Sequence, residues 1–151
     1  MLRSRLNDDL KVALKAKDKI AVSTLRLILA ALKDRDIAAR GEGNCDGIVE
    51  EEILLLLQKM IRQRRDAIVL YQQAGRDELA EREGAEIAVI QRFLPKQLSA
   101  EEMQGAIEEV IDELAAGSIK DMGRVMSTLR ERYGGRMEFA KASTVVKQQL
   151  S

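Results

Sequence analysis

Phe93-Leu94-Pro95-Lys96-Gln97-Leu98-Ser99-Ala100-Glu101-Glu102 decides how this chain is divided. Pro95 is its only proline. A proline lacks an amide donor and pushes the residue before it out of helical geometry, so a helix arriving at Leu94 must stop. Ser99 and Glu102 then stand at the spacing of a capping box, in which each side chain satisfies the other's free backbone amide at a helix start. One helix ends and another begins within this stretch. The expected division is an N-terminal helical domain over 1–94 and a small C-terminal domain over 95–151.

Upstream of Pro95 the apolar spacing is helical. Leu2, Leu6, Leu10 and Leu14 recur every four residues and predict a first helix with these leucines on one face. Asp18 is suited to cap a second helix that carries Ile20, Leu25, Ile28, Leu29 and Leu32 and runs to about Arg40. Gly41-Glu42-Gly43-Asn44-Cys45-Asp46-Gly47 is a loop. A long helix is expected from Val49 to Ala74, with Ile53, Leu57, Met60, Ile61 and Ile68 inward and Gly75 as its stop. A fourth follows from Asp77 to Phe93, with a stripe of Ile87, Ile90 and Leu94.

Downstream, the helix opened by Ser99 carries Met103, Ile107, Val110, Ile111 and Leu114 and is expected to close at Gly117. A shorter helix from Asp121, its candidate cap, reaches Tyr133. Gly134-Gly135 is a turn, and a last helix from Glu138 to Leu150 buries Val145, Val146 and Leu150. No segment alternates with a period of two. The predicted fold class is all-α, an N-terminal four-helix part followed by a small C-terminal three-helix domain. Aromatics at 3% with no Trp leave Leu, Ile, Val, Ala and Met to build the core, which suits helices.

Several function classes are excluded by what the chain lacks. It has no histidine, so a Ser–His–Asp or Cys–His nucleophile cannot be assembled. One cysteine, Cys45, cannot build a sulfur-ligated zinc site or an intramolecular disulfide. Gly41-Glu42-Gly43 is not followed by the Lys-Ser or Lys-Thr of a phosphate-cradling loop. No catalytic residue, metal site or cofactor is expected. Glu50-Glu51-Glu52 is the densest acidic run, and its place in the first turn of the long helix complements the helix dipole. The N-terminus has no signal core, and no apolar run approaches the roughly 18 residues needed to span a bilayer. With the lone cysteine, these features predict a cytoplasmic protein without a membrane partner.

The formal net charge is zero, yet charge is sorted locally. From Ser99 to Ala116 there are six acids and no base, a net of −6. From Gly117 to Ser151 there are seven bases (Lys120, Arg124, Arg130, Arg132, Arg136, Lys141 and Lys147) against three acids, a net of +4. Two readings fit. In one, the acidic helix packs beside the basic pair and neutralises it, since charge runs are most often ordinary faces. In the other, the seven bases contact phosphates, the main source of nucleic-acid affinity, with Tyr133 placed to stack on a base. A second cluster, Lys59, Arg62, Arg64 and Arg65, spreads around more than half of the long helix, and the Arg62–Asp66 spacing reads as part of a surface ladder.

Six segments carry a resemblance that covers essentially the whole chain. They are Leu6-Asn7-Asp8-Asp9-Leu10-Lys11, Lys15-Ala16-Lys17-Asp18-Lys19, Arg62-Gln63-Arg64-Arg65-Asp66-Ala67-Ile68, Ala74-Gly75-Arg76-Asp77-Glu78-Leu79, Phe93-Leu94-Pro95-Lys96-Gln97-Leu98-Ser99 and Lys120-Asp121-Met122-Gly123-Arg124-Val125-Met126. On these the chain resembles the YqeY family, whose C-terminal part is similar to the tail of GatB, the B subunit of tRNA-dependent amidotransferases. The resemblance implies a GatB-tail-like three-helix domain at 95–151. It also implies a family label of carbon–nitrogen ligase with glutamine as amide donor. In such enzymes the tail helps to engage tRNA while chemistry occurs in other domains and subunits. The implied partners are tRNA and an amidotransferase or aminoacyl-tRNA synthetase subunit. One departure stands out: where the family shows Gly-Arg-Ala-Asp-Gly-Lys, this chain has Gly135-Arg136-Met137-Glu138-Phe139-Ala140-Lys141, so the turn before the last helix is expected to differ.

Three functions therefore compete. The first is a non-catalytic tRNA-binding accessory of aminoacyl-tRNA amidation, with the seven C-terminal bases as phosphate contacts. The second is a helical protein-interaction module with no nucleic-acid role. The third is a self-sufficient amidotransferase, for which neither an amidase signature nor an ATP-binding loop is present.

Overall fold

The computed structural model describes all residues, 1–151. It contains seven α-helices and no strand. The chain separates into two compact units, Met1–Leu94 and Pro95–Ser151. No helix is long and apolar enough to cross a membrane.

The N-terminal unit holds α1 (Leu2–Ala16), α2 (Lys19–Gly41), α3 (Glu50–Gln73) and α4 (Asp77–Gln91). α1 packs on α2, α3 on α4, and α2 bridges the two pairs. Leu6, Leu25, Ile28, Leu57 and Ile90 are fully buried at the centre. The four-residue leucine stripe of α1 does not stay inward. Four steps of about 100° overshoot one turn, so each leucine drifts around the helix. Leu2 and Leu6 are buried, Leu10 is half-buried, Leu14 is exposed, and Ala13 takes the inward place. Ile20 is likewise exposed, and Ala21 and Thr24 fill the α2 stripe instead.

Local chemistry sets the joints. Lys17 adopts a left-handed conformation to end α1, and the Asp18 carboxylate accepts from the Ala21 amide to start α2. Gly75 closes α3 with a positive φ, and the Arg76 amide donates to the Tyr71 carbonyl, so α4 folds back along α3. The loop after α2 is held by one ion pair. Arg3 of α1 forks onto both oxygens of Asp36 of α2, Arg3 also donates to the Ile48 carbonyl at 2.8 Å, and Asp36 accepts from the Ile48 amide at 3.0 Å. Glu50 accepts from the Leu2 amide at 2.9 Å, so the acidic run also ties the start of α1 to α3.

Of the basic cluster on the long helix, Arg62 and Arg65 are exposed and Arg64 turns inward. Its side chain is 12% exposed, donates from Nε to Glu86 of α4 at 3.1 Å and from Nη1 to the Met60 carbonyl, and has Glu83 at 4.0 Å. Burial and the neighbouring Glu86 together push the Glu83 carboxyl above its ordinary pKa.

The C-terminal unit holds α5 (Ala100–Glu113), a short 3-10 turn (Ile119–Asp121), α6 (Met122–Tyr133) and α7 (Phe139–Leu150). Each of its three helices packs on the other two around Ile107, Val110, Val125, Leu129, Met137 and Val146. Ser99 and Glu102 form the complete capping box. Two expectations are corrected here. α5 ends before Gly117, because Ala115 takes the left-handed position and the Ala116 amide donates to the Ile111 carbonyl. Asp121 does not cap α6 through its side chain, because it accepts from the Gly117 amide at 3.0 Å and from Arg124 at 2.9 Å.

Candidate nucleic-acid interface

The seven candidate bases sit on α6, α7 and the segments that lead into them. α6 buries Val125, Met126 and Leu129. At about 100° per residue, Arg124 lies nearly opposite that stripe, and Arg130 and Arg132 lie on its two flanks. α7 buries Ala142, Val146 and Leu150, which puts Lys141 on the outer side and Lys147 on a flank. The bases are therefore fanned around the open sides of the two helices rather than stacked in one row. All except the half-buried Arg136 are exposed.

Their partners differ. Arg132 pairs with Glu113 of α5, and that hydrogen bond holds the Glu113 carboxyl below and the Arg132 guanidinium above their ordinary values. Arg124 pairs with Asp121 three residues before it and donates to the Leu114 carbonyl. The Gly117 amide and then Arg124 keep Asp121 below the usual carboxylate range. Lys141 lies 3.4 Å from Glu138, one turn back. Arg130 stands over the Phe139 ring at 5.8 Å. Lys120 and Lys147 have no carboxylate partner. Of the six acids on α5, Glu113 is the one paired with a base of α6 or α7. The acidic helix does lie beside the basic pair, and its charge falls on two arginines: Glu113 and Glu109 both act on Arg132, and Glu102 feels Arg136. Tyr133 is half-buried and packs against the core of the unit.

Arg136 has a structural task that sequence spacing did not reveal. Its Nε donates to the Lys96 carbonyl at 3.1 Å, and its own carbonyl accepts from the Leu98 amide at 2.8 Å. Gln97 donates to the Gly135 carbonyl at 2.6 Å. The segment after Pro95 is thus laced to the turn before α7. That turn is a type II turn: the Arg136 amide donates to the Tyr133 carbonyl at 2.9 Å, Gly134 has φ −54 and ψ 126, and Gly135 has φ 81. Met137 fills the core at 1% exposure, and Phe139 opens α7.

Comparison with known proteins places the chain. The family model for YqeY, described as Yqey-like protein, matches residues 3–150. Among curated relatives, "Altered inheritance of mitochondria protein 41, mitochondrial" of Lachancea thermotolerans is 31% identical over 113 residues, 74% of this chain and 58% of the relative. The protein of the same name in Clavispora lusitaniae is 32% identical over 117 residues, 76% of this chain and 65% of the relative. That of Candida glabrata is 33% identical over 112 residues, 72% of this chain and 59% of the relative. The matched part of the chain thus spans about three fifths of the length of these relatives. Their names place them in mitochondria, which conflicts with the cytoplasmic location expected from the absent signal core and the lone cysteine. The absence of an apolar signal core bears on secretion and says nothing of mitochondrial import, whose leaders are amphipathic rather than apolar. With a family model aligned from Arg3 to Leu150 over an all-helical fold, the chain belongs to the YqeY family.

Proposed function

We propose that this protein is a non-catalytic tRNA-binding accessory of aminoacyl-tRNA amidation, with its C-terminal unit as the RNA-contacting part. The observation that carries the reading is the uneven neutralisation of α6 and α7. Six acids sit on the neighbouring helix, yet their influence falls on Arg132 and Arg136, while Lys120 and Lys147 are exposed with no carboxylate partner. Lys120, Arg124, Arg130, Arg132, Lys141 and Lys147 are the outward phosphate contacts, and Arg136 adds its terminal nitrogens from the rim of the laced turn. Amide transfer itself, and the ligase label of the family, belong to a partner subunit. Similarity to the GatB tail supports this division of labour.

The test is tRNA binding by the whole chain across a salt series. Log affinity should fall linearly with log salt, and Lys147→Ala should reduce the slope by about 1. No salt-sensitive binding of bulk tRNA at low ionic strength would refute the proposal. The competing reading, a C-terminal unit that docks another protein through an apolar groove, has one observation against it: Ile119 is the single large apolar side chain that this unit exposes. Glutamine-dependent amidation of tRNA by the purified chain alone would overturn both readings.

A further inference from the structure

A cavity of about 740 Å³ opens in the N-terminal unit between the end of α1, the start of α2 and α4. Its floor is aliphatic: Leu14, Val22 and Leu27. Leu14 is 47% and Leu27 49% exposed, although both are leucines on helices with a well-filled core. Around this floor stand four cations, Lys17, Lys19, Arg26 and Arg82. The single anion of the lining is Glu86, which already receives Arg64 at 3.1 Å and lies 3.8 Å from Arg82. Lys17, Lys19 and Arg26 have no carboxylate partner. Asp18 between the two lysines holds the Ala21 amide instead. The backbone builds this arrangement. The left-handed turn at Lys17 reverses the chain, so two lysines of adjoining helices reach one rim, and the drift of the α1 stripe turns Leu14 out of the core and into the cavity.

An apolar concavity of this size with a few convergent charges is the usual form of a ligand site. The charges select an anion. No aromatic side chain lines the cavity, so it offers no platform for a stacked base. Three aliphatic side chains ringed by four cations form a compact floor, without the elongated strip of anchors that a docked helix needs. We propose that this cavity binds an anionic amphiphile: one aliphatic chain lies on Leu14, Val22 and Leu27, and its phosphate or carboxylate head meets Lys17, Lys19 and Arg26. This site is separate from the tRNA reading, which uses the other unit.

Amide chemical-shift titration of the whole chain tests it. The probes are decyl phosphate below its micelle concentration, the uncharged decyl glucoside, inorganic phosphate, and vesicles with anionic lipid. Decyl phosphate should give saturable shifts at the end of α1, the start of α2 and α4, with the glucoside and inorganic phosphate each weaker by about tenfold or more, the worth of one charge-assisted hydrogen bond or of the buried chain. Leu27→Asp and Arg26→Glu should each weaken decyl phosphate by about tenfold. Both residues are on the surface, so folding checked by circular dichroism should hold. Leu70→Asp, an exposed apolar position outside the cavity, should leave affinity unchanged. Equal affinity for the uncharged probe, shifts that do not saturate, or insensitivity to Leu27→Asp would overturn the proposal. So would binding to vesicles without binding to the monomeric probe, or self-association that masks the cavity.

Discussion

Replacing Arg64 by Met tests the internal charge cluster of the N-terminal unit. The substitution preserves the stem that lies between α3 and α4 and removes the guanidinium. Glu86, with a side chain 10% exposed, then loses its 3.1 Å partner, and Glu83 stands beside it with no close cation from α3. Removing one member of a buried ion pair costs about 3–5 kcal/mol, because the other charge remains desolvated. Arg82 lies 3.8 Å from Glu86 but is 63% exposed, so it compensates only in part. The expected loss is about 3 kcal/mol. For a unit of this size that corresponds to a Tm lower by about 12–24 °C, at about 4–8 °C per kcal/mol. Native-state hydrogen exchange at the core amides of α3 and α4 reads this unit separately from the other. Arg64→Met/Glu86→Leu should recover most of the loss, since a well-packed apolar pair avoids the desolvation altogether. A loss under about 1 kcal/mol, the worth of an exposed pair, would refute the reasoning and return Arg64 to the surface.

Other perturbations probe single features. The hydrogen bond from Arg3, reinforced by the Ile48 amide, lowers the Asp36 pKa from 3.8 to about 2. Its stabilising contribution is therefore complete above the unfolded value and is lost as pH falls through about 4 toward 2; urea midpoints of wild type and Asp36→Asn should differ at pH 7 and converge near pH 2. Thr24 is fully buried with a hydroxyl that has no hydrogen-bond partner, so Thr24→Val should raise the stability of the N-terminal unit by about 1 kcal/mol, read by the same exchange experiment. Gly135→Ala forces a Cβ onto φ 81 and should cost about 1–2 kcal/mol in the C-terminal unit, with exchange rising first at the Leu98 and Arg136 amides that the turn laces together.

Local signals in the chain were legible where one residue meets its near neighbours. Asp18 caps α2 and Ser99 with Glu102 caps α5, because a cap acts over three residues and needs nothing from the rest of the fold. The same locality fails at Gly117 and Asp121. Glycine is the cheapest residue at a helix end, but Ala115 pays a small strain and ends α5 earlier, and Asp121 is drawn back to the Gly117 amide. For the candidate interface, the sorting of acids and bases was visible in order along the chain. Which base meets which acid was not, because Arg132–Glu113 joins residues nineteen apart and Arg136 reaches Lys96 across forty.

By itself, then, the sequence determined that the chain is helical throughout, where most helices begin, and that seven bases follow an acidic helix. These follow from periodicity, caps and composition, which are properties of short windows. The apolar stripes of α3 and α5 already named their inward sides, whereas tertiary structure alone decided the inward side of α1 and the partners of the charged residues. It turned Leu14 out and Ala13 in, singled out Arg64 from its basic cluster and set it against Glu86, and left Lys17, Lys19 and Arg26 unpaired beside an open aliphatic floor. The physical reason is that a repeat of four does not match 3.6 residues per turn, so an inward face is settled only when a second helix packs against it.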